Sequence, residues 1–163
     1  MKQLGTPLVR GTAAVLWSLS LAAGACSGDS APAPLFPADY ADTYRQVRDC
    51  RHSIEHDMSS IRVLADPAAY EPYINRDADF PEGSVVLKEE YDWDDLTCSG
   101  PLQRWTVSQR LAPGSSPKAL DWAWQKVSTS RKVVSADEPR CIVCHTKCGV
   151  PPDGYEGTCA VAP

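Results

Sequence analysis

The chain has 163 residues, 16 Lys and Arg against 21 Asp and Glu, and a net charge of -5, a length that suffices for one domain with a real core and is too short for two. With 43% hydrophobic and 23% charged residues, global disorder, collagen-like repeats and coiled coil are excluded. The 14 prolines and 10 glycines mark a loop-rich fold, and the acidic balance carries no basic patch to hold nucleic-acid phosphates.

Residues 1–25 read as an export signal. Lys2 and Arg10 form a positive start, Thr12 to Ala22 an apolar run, and Ala23-Gly24-Ala25 a small-residue cleavage site. The apolar run is too short for a transmembrane helix, which takes roughly 20 residues. Its removal leaves 14 Lys and Arg against 21 Asp and Glu, a charge of -7. Cys26 follows at once and resembles the lipobox cysteine of bacterial lipoproteins, with Ala23 where that pattern favours Leu. Simple secretion after cleavage is the alternative. Residues 26–38, with Ser27-Gly28-Asp29-Ser30 and Pro32 and Pro34, form a polar tether without apolar periodicity. The expected product is exported and periplasmic, held at a membrane through lipid on Cys26, with the folded domain at 39–163.

In chain order, Asp39 to Asp49 places Tyr40, Tyr44 and Val47 at i, i+4 and i+7, which predicts an amphipathic helix ending at Cys50. Ser60 to Ala65 predicts a short strand. Asp66-Pro67 then caps a short helix over Ala68, Ala69 and Tyr70, which Pro72 should end early. Phe80 to Gly83 is a turn, and Ser84 to Tyr91 has the β-branched enrichment of a strand. Gln103 to Leu111 alternates, with Trp105, Val107 and Leu111 on one face and Arg104, Thr106, Ser108 and Arg110 on the other. After a loop at Ala112 to Pro117, Trp122 and Trp124 share a face of a strand that reaches Val127, and Lys132 to Ser135 extends it or forms another. The expected fold class is α+β: a single antiparallel sheet packed by helices, with a short C-terminal helix around Ile142.

The cysteines carry the chemistry. There are seven, and an odd number in an oxidising compartment requires a task other than disulfide bonding for at least one. Cys141-Ile142-Val143-Cys144-His145 supplies it. In this pentad two thiols add to the haem vinyl groups and the histidine ligates the iron from one face. A zinc half-site completed by Cys148 and Cys159, and a thioredoxin-like redox pair, are the competing readings. With Cys26 lipidated and the pentad holding one covalent haem c, four cysteines remain. The turn-forming stretch Gly149 to Gly154 lets Cys148 meet Cys159, which pairs Cys50 with Cys98 by elimination.

An electron-transfer cytochrome c closes its iron with a methionine after the motif. Here Met1 lies in the signal and Met58 lies upstream, near His52 and His56. One of these three could reach the iron, but the expectation is a vacant distal position, suited to binding or transforming small molecules.

Phe80-Pro81-Glu82-Gly83-Ser84-Val85-Val86-Leu87-Lys88-Glu89, the aromatic strand Asp121-Trp122-Ala123-Trp124 and the pentad at Cys141 to His145 together resemble the cytochrome P460 and cytochrome c'-β family, over about Tyr44 to His145. The resemblance implies a sheet-rich homodimer with a five-coordinate haem c, an enzyme that oxidises hydroxylamine or a protein that binds nitric oxide. It also implies a role for Lys88, whose counterpart in the P460 branch is bonded to the porphyrin edge. Period-two alternation puts Lys88 on the face of Val86 and Glu90. The strand Gln103 to Leu111 offers Thr106, Ser108 and Gln109 where P460 enzymes offer a distal carboxylate. The alternatives are an electron carrier with a redox partner and a non-haem, disulfide-stapled structural lipoprotein.

Overall fold

The computed structural model describes residues 31–160. The export segment, Cys26 and the tether as far as Ser30 lie outside the described residues, so the readings placed on them receive no structural account.

The segment expected as one helix is divided. Helix α1 is a single turn, Tyr40–Thr43, and the chain turns extended at Tyr44 to enter strand β1, Arg45–Ser53. The helical spacing of Tyr40, Tyr44 and Val47 is overridden by tertiary contacts. Tyr40 and Tyr44 pack edge to face, 6.0 Å between centroids, on one side of the sheet, whereas Val47 packs into the cluster on the other. What makes this polar stretch a strand is its antiparallel partner β2, Ser59–Ala65, from Arg45 opposite Ala65 to Ser53 opposite Ser59. A 3-10 turn at Ile54–His56 joins the two.

Helix α2, Pro67–Asn75, begins as expected: the Asp66 carboxylate accepts from the Ala69 amide at 2.7 Å, and proline fills the first position. Contrary to expectation, Pro72 does not end it. The helix runs on to Asn75 and closes on Arg76, whose φ is 54°. Pro72 costs the turn one backbone bond, but it is buried with Ala69 and Tyr73, and that packing offsets the loss.

Strands β3 (Val85–Tyr91), β4 (Arg104–Arg110), β5 (Trp122–Ser128) and β6 (Val133–Ala136) and helix α3 (Pro139–Lys147) follow. The six strands pair in sequence order, all antiparallel, so the expected α+β architecture with one antiparallel sheet is present. Register fixes the faces. Lys88 lies opposite Val63 and Thr106, Thr106 opposite Lys126, and Ser108 opposite both Val86 and Trp124. Directly opposed residues share a face, so Val86, Lys88, Glu90, Thr106, Ser108 and Trp124 look the same way.

That face packs α2, Phe80, Trp122 and Ala160 over Ile61, Val63 and Val86, and its remaining part is left for α3. The other face carries Phe36, Leu64, Leu87, Trp105, Val107 and Val127. There the buried Glu89 carboxylate accepts from the Tyr40 hydroxyl at 2.6 Å, and the Trp105 indole donates to that hydroxyl at 3.0 Å. Disulfides join Cys50 to Cys98 and Cys148 to Cys159, the pairing expected from the turn-forming stretch after Cys148 and from elimination. No helix among the described residues is long and apolar enough to cross a membrane.

Candidate functional site

Helix α3 opens with Pro139 at its first turn, a position where the missing amide hydrogen is harmless. Cys141, Cys144 and His145 then fall at i, i+3 and i+4, on one face. Both thiols are free and half-buried. That face and the sheet flank a cleft open to solvent, lined among others by Cys141, Cys144, His145, Val86, Lys88 and Trp124.

His145 is buried and held on two sides. Its Nδ1 lies 2.7 Å from the Gly157 carbonyl, which only accepts, so Nδ1 carries the proton and Nε2 presents a lone pair. Trp124 packs against the ring at 4.2 Å between centroids. The carbonyl is delivered by the chain that the Cys148–Cys159 disulfide folds back. Gly157 has a φ of 80°, and a Cβ there would meet the Trp122 ring at 3.2 Å, so glycine is required both by conformation and by space. Burial and the nearby Lys88 ammonium hold the His145 pKa well below the ordinary range.

Across the cleft, Lys88 is 8% exposed. Its Nζ lies 2.8 Å from His56 Nε2 and 3.1 Å from His145 Nε2, donating to both imidazoles. Burial, with Arg51 as the next contributor, pulls its pKa down to about 8. His56 Nδ1 lies 3.0 Å from Glu90 Oε1, and Glu90 also accepts from Arg104 Nε at 2.6 Å and Thr106 Oγ1 at 2.9 Å. Burial pushes the Glu90 carboxyl upward, but the His56 and Arg104 contacts outweigh it and hold the group ionised. Against an ionised carboxylate His56 Nδ1 must be the donor, which leaves Nε2 as the acceptor. Burial first, then Lys88, lower the His56 pKa to about 4.

The turn carrying His56 is anchored by its neighbours. Asp57, at φ 55°, accepts from Arg140 of α3 at 2.8 Å and from Arg104 of β4 at 2.9 Å. Arg140 also donates to the Glu55 carbonyl at 3.0 Å. Cations from both walls thus hold the turn over the cleft.

Of the three upstream groups considered for the distal position, the structure brings only His56 to the cleft. His52 stacks on Trp93 at 3.9 Å between centroids, with Nε2 2.9 Å from the Trp93 carbonyl, and Met58 is 59% exposed. β4 brings no carboxylate to the cleft; Glu90 of β3 lines it, and Thr106 of β4 donates to that carboxylate. Alternation had placed Glu90 on the face of Lys88. Its link to His56, and the service of Gly157 to His145, carry no local sequence signal.

The donor set fits a haem. Two free thiols and an imidazole lone pair occupy one wall, and the opposite wall offers Val86 and Trp124. Among the described residues, Trp124 Nε1, in the cleft lining, is buried without a hydrogen-bond partner in the chain, a donor suited to a large group with acceptors at its rim. The zinc reading fails, because Cys148 and Cys159 are bonded to each other.

The model of the cytochrome P460 family, described as Cytochrome P460, matches residues 37–149. No curated protein matches the sequence.

Proposed function

Because the chain belongs to the cytochrome P460 family and is a haem c cytochrome of that type, we propose that Cys141 and Cys144 bind one haem covalently, with His145 as the proximal ligand, and that the protein binds small nitrogen compounds on the opposite side. When bound, haem supplies an iron that takes such ligands and exchanges electrons with them. The observation that supports this reading is the pairing of walls: free thiols and a lone-pair-bearing imidazole on α3, facing a polar group of Lys88, Glu90 and Thr106 on the sheet.

The residues favour a binder of nitric oxide over an oxidase of hydroxylamine. Oxidation calls for a proton acceptor whose pKa lies near the working pH, and Glu90 is held well below that by His56 and Arg104. Glu90, held ionised on the same strand face, gives the Lys88 ammonium a charge partner once the imidazoles turn to the haem, and an ammonium is a poor nucleophile, which favours the form not bonded to the porphyrin edge.

Haem staining after denaturing electrophoresis tests attachment: the wild type should stain and Cys141→Ala/Cys144→Ala should not. Ferrous protein titrated with nitric oxide should bind it, with no hydroxylamine turnover. A strongly red-shifted spectrum that disappears in Lys88→Ala, together with turnover, would overturn the preference for a binder.

Export, lipid on Cys26 and a homodimer complete the proposal. The charged, apolar and small-residue pattern of 1–25 supports the first two, and the family resemblance supports the third.

A further inference from the structure

We propose that His56 is the distal axial ligand of the resting iron, so that the haem is held between two imidazoles and a small ligand must displace His56 to bind.

Each imidazole has its Nδ1 proton engaged by an acceptor of this chain, Gly157 O for His145 and Glu90 Oε1 for His56, the arrangement that orients a metal-ligating histidine and raises its basicity. Each presents its Nε2 lone pair to the same point, now taken by Lys88 Nζ. The rings stand 86° apart with centroids separated by 6.5 Å. The two Nε2 atoms are at most about 6 Å apart, the sum of the contacts at 2.8 and 3.1 Å.

An iron between two imidazoles needs nitrogens roughly 4 Å apart, at about 2 Å per metal–nitrogen bond. A histidine that only hydrogen-bonds a bound molecule must leave space for it. Set in line, that takes about 7 Å, from two such bonds and a hydrogen bond of about 2.8 Å. The ceiling of about 6 Å covers the first arrangement and falls short of the second.

Lys88 has to vacate the shared point. It is an unbranched side chain with a flexible four-carbon stem, and Glu90 of the same strand face offers its charge a partner. The turn bearing His56 is already fixed by Arg104 and Arg140 through Asp57, so little ordering remains for ligation to impose.

This inference rests on the haem attachment proposed above and replaces the vacant distal position expected from sequence with a capped one. The test uses the haem-loaded protein. Ferric wild type should show a low-spin, six-coordinate absorption and electron paramagnetic resonance spectrum, and labelling with ¹⁵N-histidine should reveal two imidazole nitrogens coupled to the iron.

His56→Ala should become high-spin and five-coordinate, added imidazole should restore the low-spin form, and Lys88→Ala should stay low-spin. If the free iron is exposed a tenth of the time in the wild type, His56→Ala should gain about tenfold in apparent affinity for nitric oxide. A high-spin wild type overturns the inference, as does one coupled nitrogen on labelling, or a low-spin signal that survives His56→Ala and is lost in Lys88→Ala. Loss of the haem stain from wild type would instead sink the attachment reading. A six-coordinate wild type whose His56→Ala variant ignores nitric oxide would sink the nitrogen-ligand reading alone.

Discussion

The two disulfides do different work, and removing them one at a time should separate stability from haem geometry. Cys50–Cys98 spans 48 residues and ties β1, at the sheet edge, to the loop between β3 and β4; Cys148–Cys159 spans 11. In the chain-entropy picture the longer loop contributes about 4 kcal/mol and the shorter about 3. For a fold of this size, at about 3 to 4 °C per kcal/mol, Cys50→Ala/Cys98→Ala should lower Tm by roughly 12 to 16 °C. Its folded haem spectrum should stay unchanged, because the turn bearing His56 is held separately by Arg104 and Arg140.

Cys148→Ala/Cys159→Ala should lower Tm less. It should nonetheless disturb the haem, because the Gly157 carbonyl that fixes His145 Nδ1 is carried by the segment this bridge closes, and losing such a partner costs about 10 to 100-fold in metal affinity. The assay is thermal unfolding followed by far-ultraviolet circular dichroism, with the Soret band recorded in parallel. If Cys148→Ala/Cys159→Ala is the less stable of the two, or if its Soret band matches wild type, the division of labour is refuted.

Two further outcomes follow from the fold. Burial first, and the Glu89 carboxylate next, raise the Tyr40 pKa to about 12 from an ordinary value near 10. Its contribution is therefore complete below about pH 10 and is lost as pH rises toward 12; denaturant unfolding across that interval should show the decline, and Tyr40→Phe should make it shallower, the rest coming from Tyr44 and Tyr91, whose hydroxyls burial also pushes up. Asp66→Ala removes the side-chain acceptor at the start of α2 and should cost about 1 kcal/mol in urea unfolding, with the haem spectrum unmoved.

Much of the site is local chemistry and can be read along the chain. The Cys141 to His145 pentad is complete within five consecutive residues, so its spacing on one helix face needs no tertiary partner. Asp66-Pro67 announces the start of α2 in the same way, and the β-branched run from Ser84 and the alternation from Arg104 announce β3 and β4. Cysteine parity reaches further, since it counts the whole chain and leaves four cysteines for two bridges; the turn-forming stretch after Cys148 then selects among their pairings, and the structure joins Cys50 to Cys98 and Cys148 to Cys159.

Where local pattern and long-range pairing disagree, pairing decides. Tyr40, Tyr44 and Val47 have helical spacing, yet β2 supplies backbone partners to Arg45–Ser53, and an open hydrogen-bonding edge beside a buried strand outweighs a weak amphipathic preference. Pro72 persists inside α2 because burial compensates for one missing bond. His56 shows the same dependence at the site. In sequence it is one of several polar residues near a strand end; only the β1–β2 connection, Glu90 from β3 and Arg140 from α3 turn its Nε2 toward the point that His145 also faces. The sequence by itself determines which groups can bond to a haem, because that follows from residue type and short spacing. Tertiary structure alone decides what stands on the other side, because that depends on which distant side chains the sheet register places opposite one another.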